Sequence, residues 1–171
     1  MTQNKLDISQ ATEALKGTRF VEALSLLELN LEKDSNHIDS LYLAAVCSRY
    51  LKNYDDSKKY IESLLSKAPD MGRAYQELGH LNRDMGNGEN AIAHYRQACE
   101  LNPALLASWK ALYDYFKRNK NKPAADHAFM QMNTLQSIPS ILLYISQILN
   151  EGKLGIAEEK CREFLKKNPT N

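Results

Sequence analysis

The sequence predicts an all-α fold, a right-handed α-α superhelix (a solenoid) of about five helix–turn–helix repeats. Three observations predict it. The 171 residues are rich in Ala and Leu and hold only 7 Gly and 5 Pro, a helix-forming composition. Pro69 and Pro103 stand 34 residues apart, each closing a similar helical run, LLSKAPD and ACELNPA. Sliding the chain by 34 residues lays small residues over small ones and large over large.

The columns are specific. Ala91 falls over Ala125 and Ser57, Tyr95 over Phe129 and Ile61, Leu78 over Leu112 and Ala44, and Gly79 over Ala45. One step back, Ala23 and Leu27 join the Ser57 and Ile61 columns. One step forward, Ala157, Cys161 and Pro169 join after a two-residue deletion, placed at the Ser137–Ser140 junction. Two antiparallel helices approach closely only where one carries a small residue. The large columns (Tyr75, Trp109, Tyr95, Phe129, Phe164) then fill the space beside that contact. Proline after the second helix stops it, because it cannot donate the next hydrogen bond.

The repeats follow in order. The first spans 4–37, with helices at 4–17 and 20–33 and a break at Gly17. The second spans 38–71, with helices at 38–51 and 54–67 around Asn53. The third spans 72–105, with helices at 72–85 and 88–101 around Gly86-Asn87-Gly88. The fourth spans 106–137, with helices at 106–119 and 122–135, Asn121 in the turn and Pro123 in a first turn that needs no N–H. The fifth spans 138–171, with helices at 139–151 and 154–167 around Gly152. Residues 1–171 read as a single solenoid domain, and as a piece of a longer protein, because the last helix reaches a repeat boundary without a polar cap.

Charge excludes a phosphate-driven partner. Net charge is +1, with 22 basic and 21 acidic residues, so nucleic acid is not expected. The start, MTQNKLDISQATEALKG, lacks a signal-peptide core, and the apolar run Ile138 to Leu149 is broken by Pro139, Ser140, Ser146 and Gln147. No membrane partner and a cytoplasmic location are the expectation. Cys47, Cys99 and Cys161 lie far apart, against both a disulfide framework and a zinc site.

No constellation for catalysis is found, so the chain reads as a non-enzyme without a cofactor. His37, His80, His94 and His127 make no His-x3-His pair. His80 and Asp84 share a helix face at i and i+4, which reads as a solvated pair, since two ligands rarely make a metal site. Gly86-Asn87-Gly88 joins two helices with no preceding strand and no Lys-Ser/Thr, so it is a turn and not a phosphate loop.

The third repeat carries a family resemblance. Tyr75, Leu78-Gly79, Ala91, Tyr95, Ala98 and Pro103 are similar to the tetratricopeptide-repeat pattern at its expected spacing, with Asn82 departing where Tyr or Leu is usual. The fourth repeat supplies Trp109, Leu112, Phe116, Ala125 and Phe129, but Tyr113 stands where a small residue is expected, so either that helix pair is splayed slightly or Tyr113 escapes sideways. The resemblance implies a protein–protein interaction scaffold whose first helices line a concave groove. It places Asp39, Tyr42, Val46 and Arg49 (with Tyr50 adjacent), then Arg73, Gln76, His80 and Arg83, then Ala107, Lys110, Asp114 and Lys117 in that groove. The site expected to bind is therefore Tyr42, Arg49, Tyr50, Arg73, Gln76, His80, Arg83, Lys110, Asp114 and Lys117, mildly basic, with an acidic protein or peptide segment as its partner.

The chaperone-adaptor carboxylate clamp is not matched: its positions hold Tyr42, Val46, Glu77, Ala107 and Ala111. The stretch 102–171 also resembles the N-terminal repeat region of bacterial sulfotransferases, which implies an alternative role as the non-catalytic arm of a PAPS-dependent enzyme. Self-association through the uncapped last helix, at Cys161, Phe164 and Leu165, is a further expectation.

Overall fold

The computed structural model describes residues 8–168. The expected helix start at residue 4 and the stop at Pro169 lie outside the described residues. Within them the chain is helical hairpins: α1 (Ser9–Lys16), α2 (Phe20–Lys33), α3 (Ile38–Tyr50), α4 (Tyr54–Lys67), α5 (Gly72–Asp84), α6 (Gly88–Leu101), α7 (Leu106–Arg118), α8 (Lys122–Ser137), α9 (Ser140–Asn150) and α10 (Leu154–Lys167). Four of the five second helices have the bounds that the periodicity predicts, and α8 runs on by two residues.

Each hairpin closes with the same turn. A residue in the left-handed region recurs at Thr18, Lys52, Gly86, Lys120 and Gly152, with φ of 57°, 64°, 81°, 55° and 71°. The next residue then donates its N–H to a carbonyl five residues back: Arg19 to Ala14, Asn53 to Ser48, Asn87 to Asn82, Asn121 to Phe116 and Lys153 to Ile148, at 2.8–3.0 Å. This bond satisfies a carbonyl that the helix end would leave orphaned. Gly17, Asn53 and Asn121, expected as the breakers, each flank the left-handed residue instead of occupying it. Pro123 sits in the first turn of α8, as expected, and Asn121 Oδ1 accepts from the Ala124 N–H at 3.3 Å.

The two-residue deletion does not fall in the connection alone. Helix α9 has 11 residues where α3, α5 and α7 have 13, and α8 extends into a connection of only Ile138 and Pro139.

The chain forms two compact units: residues up to Asp70 with His80–Ala91, and Met71–Gly79 with Ile92 onwards. The core of the first unit gathers Ala11, Ala14, Ala23, Leu27, Ala44 and Cys47. Ser57, in the small-residue column, is fully buried and its Oγ donates to the Ala45 carbonyl at 2.9 Å. A hydroxyl replaces Ala here without penalty because α3 supplies its acceptor.

The second unit shows the packing logic at its tightest. A Cβ on Gly79 would sit 2.5 Å from the Tyr95 ring, so glycine alone lets that ring lie flat against α5, with 1% of it exposed. One repeat later the same pair is Tyr113 and Phe129. Their rings meet at 5.7 Å and Phe129 is pushed out to 46% exposure, correcting its expected place in the core. An open cavity of about 350 Å³ lies beside Tyr113, lined by Phe116 and Lys117 of α7 and Ala125 and Asp126 of α8. The last hairpin packs Ile145, Ile148 and Ala157 with Ile141 and Cys161 against them. Cys161 is half-buried in that cluster and Phe164 is half-buried, so of the three residues expected to be bare on α10 only Leu165 is, at 50%. No helix among the described residues is long and apolar enough to cross a membrane.

Candidate functional site

The first unit holds a polar pocket of about 570 Å³ lined by Arg49, Tyr50, Lys52, Tyr54, His80, Arg83 and Asp84. It lies between the end of α3, the turn after it, and the second half of α5. Arg49 is 7% exposed, a burial that a guanidinium tolerates only when paired. Its Nη1 donates to Asp84 Oδ2 at 2.8 Å, and its Cζ lies 4.5 Å from the Tyr50 ring centroid. Tyr50 also stacks on Phe20, with centroids 4.5 Å apart and planes within 6°. Arg83 grips the other oxygen, its Nε and Nη2 donating to Asp84 Oδ1 at 3.0 and 2.9 Å.

Burial raises the Asp84 carboxyl, yet the hydrogen bonds from Arg83 and Arg49 outweigh it and hold the group below its ordinary range. His80 shifts further. Burial first, then the charges of Arg49 and Arg83, push its imidazole down to about 4. It is a neutral hydrogen-bonding group at pH 7, and the pocket carries three cations against one carboxylate.

Of the ten residues expected to bind, Arg49, Tyr50, His80 and Arg83 come together here. Tyr42 is in the same unit but buried. Lys52 and Tyr54, which line the pocket from the turn and the start of α4, were missed by the periodicity of first helices. Asp84 was noticed only as a neighbour of His80, since adjacent helix residues such as Arg83 and Asp84 do not face each other by register.

The remaining expected residues lie in the second unit. Gln76 Oε1 accepts from Ser108 Oγ at 3.1 Å, tying α5 to α7. Lys110 and Asp114 are exposed on α7, and Lys117 sits 5.3 Å over the Tyr113 ring. Arg73 is engaged from within: its Nη1 donates to Glu151 Oε1 at 2.9 Å. No periodic signal could have found Glu151, which stands 78 residues away in the turn after α9.

A separate apolar cavity of about 350 Å³ in this unit is walled by Cys99, Trp109, Leu112, Phe116 and Ala128, with Arg96 and His127 at its rim. Trp109 Nε1 donates to the Pro103 carbonyl at 2.9 Å and its ring takes His127 edge-on at 5.6 Å. Burial pushes the Cys99 thiol up to about 12, so it stays protonated and unreactive. Among the described residues no three His, Cys, Asp or Glu side chains gather as a metal site would need.

Repeated hairpins with a shared turn and small-residue seams define an all-α helical-repeat protein, a class that generally serves as a non-catalytic scaffold for protein interaction. The tetratricopeptide-repeat family model matches residues 72–105, and the chain shares the fold of solved repeat structures. Solved structures agree. The chain is similar to MamA from Desulfovibrio magneticus RS-1 (residues 41 to the end), at 20% identity and TM-score 0.64 over 77% of each chain. A crystal structure of MamA matches at 18% identity and TM-score 0.61 over 91% of each chain. The C-terminal part of a TPR repeat-containing protein from Cytophaga hutchinsonii matches at 19% identity and TM-score 0.59, covering 94% of this chain and 64% of that one. No curated protein sequence matches the chain.

Proposed function

We propose that the chain is an interaction scaffold that takes an acidic segment of a partner protein on the faces of its first helices. The observation that carries this reading is the pocket of the first unit. Three cations, Arg49, Lys52 and Arg83, and one carboxylate, Asp84, line it, with the Tyr50 and Tyr54 rings beside them. Arg and Tyr anchor interfaces well because they bring large contact area with directed hydrogen bonds. The second unit has basic residues of its own, Lys110 and Lys117, exposed on α7.

The test uses a hexaglutamate peptide and isothermal titration. Lys52→Glu with Arg83→Glu reverses two exposed charges and should weaken binding at least tenfold. Unchanged binding in that variant overturns the reading.

The role as the non-catalytic arm of a PAPS-dependent sulfotransferase rests on the likeness of residues 102–171 alone. Self-association has a firmer footing in the last hairpin, where Leu142, Tyr144, Leu149, Leu154, Ile156 and Leu165 are each 38–67% exposed. A chain that associates by this face should return to monomer with Leu154→Lys and Leu165→Lys in sedimentation.

A further inference from the structure

We infer that the turn joining α7 to α8 is a binding site for a phosphate monoester, presented on a serine or threonine of a partner protein. The open cavity beside Tyr113 is lined by Lys117 from the last turn of α7, Lys120 from the connection and Lys122 from the start of α8. All three are exposed, and among the described residues none of them forms an ion pair. Lys122 and Asp126 stand four residues apart on α8, a spacing that allows a pair, and even they do not make one.

The first unit supplies the comparison. Two 34-residue steps carry Arg49 onto Lys117, Lys52 onto Lys120 and Tyr54 onto Lys122. In the first unit Asp84 of α5 enters the pocket and accepts from Arg49 at 2.8 Å. At the later turn no carboxylate holds Lys117. Its Nζ lies 5.3 Å from the Tyr113 ring centroid instead, a contact that positions the ammonium without neutralising it. The same turn therefore has a resident anion in one unit and three unpaired cations in the other.

Charge and shape choose the ligand. Three lysines against Asp126 leave an excess of two positive charges around the cavity. A phosphate monoester carries about −1.5 to −2 near pH 7 and three strong acceptor oxygens, one for each ammonium. A carboxylate brings less charge and only two oxygens. A nucleic-acid backbone spreads its charge along its length and needs a longer basic surface than a chain of net charge +1 provides. That the phosphate arrives on a protein rests on the scaffold reading above; the oxyanion site does not.

The experiment titrates a Gly-Ser peptide with one central phosphoserine by isothermal calorimetry, beside the same peptide with serine or glutamate at that place. Wild type should bind the phosphopeptide about tenfold more tightly than the glutamate peptide. Equal binding of the two overturns the preference for phosphate. Lys120→Asn with Lys122→Gln alters two exposed side chains, and Asn suits the left-handed backbone at 120, so the fold should hold while affinity falls about tenfold. Arg118→Gln removes one charge from the same turn but does not line the cavity, so it should cost far less than Lys122→Gln. Equal losses in those two overturn the site and leave a diffuse basic patch. If the double variant does not fold, Asp126→Asn decides: it removes the one acid and should tighten binding, and no gain overturns the proposal.

The remaining outcomes separate the source and the neighbouring pocket. Inorganic phosphate, or phosphatidylcholine vesicles containing phosphatidic acid, bound without any binding of the phosphopeptide keeps the oxyanion site and overturns its protein source. Phosphopeptide binding should survive Lys52→Glu with Arg83→Glu. Loss there, with Lys120→Asn and Lys122→Gln harmless, moves the binding to the first unit and overturns the inference. Phosphopeptide binding without hexaglutamate binding keeps this site and sinks the acidic-segment reading.

Discussion

Single side chains show where this sequence spends and saves stability. Ser48 is fully buried, and its Oγ has no hydrogen-bond partner among the described residues. A buried hydroxyl without a partner costs about 1–3 kcal/mol. Ser48→Ala should therefore hold or raise the unfolding free energy from denaturant titration by up to that amount, and a clear loss would show that the hydroxyl is engaged. His80 acts through pH. Its folded pKa of about 4 lies below the ordinary 6.5, so the unfolded chain binds its proton first on acidification. Its contribution is present above the unfolded value and is lost as pH falls from 6.5 towards 4. Chemical denaturation at pH 7 and pH 5 should show His80→Gln losing less stability across that interval than wild type does.

At the scale of the element, the turns explain both what was legible and what was not. Helix bounds follow from the 34-residue columns because a seam of Ala, Gly and Ser is a steric requirement that leaves a trace in composition. The left-handed residue coincides with an expected breaker at Gly86 and Gly152, while Thr18, Lys52 and Lys120 are residue types that do not advertise a turn. Thr18 and Lys120 hold a conformation that costs an L-residue about 1–2 kcal/mol. Glycine relieves that strain but loses about 0.5–1 kcal/mol in the unfolded chain. Thr18→Gly and Lys120→Gly should each gain about 0.5–1 kcal/mol in urea unfolding, with the β-branched Thr18 gaining more. The candidate site was half legible: the resemblance places Arg49 with Tyr50 on α3, and His80 with Arg83 on α5, at groove positions. Lys52 and Tyr54 enter from a turn and a second helix, where the first-helix positions do not point.

For the molecule as a whole, charge balance decides what kind of partner fits. A net charge of +1 gives no long-range field, so attraction to an acidic segment must come from local clusters. Affinity for hexaglutamate should then fall as salt rises from about 0.05 to 0.5 M, where screening shortens from about 14 to 4 Å. Titration at the two ionic strengths checks this, and salt-independent binding would point to the apolar cavity around Trp109 instead. Tetratricopeptide-repeat folds are shared by proteins at 18–20% identity, so the fold sets the presentation while side chains such as these choose the partner.

The recurring turn also bears on how the chain assembles in time. Each hairpin closes through bonds between residues no more than five apart in sequence, so its loop-closure entropy is small and needs no distant contact. Folds dominated by such local contacts reach the native state in microseconds to milliseconds. The link from Arg73 to Glu151 is the opposite case, joining residues 78 apart. It can form only after the hairpins between them are in place, which makes it a late event in folding and an early one to be lost.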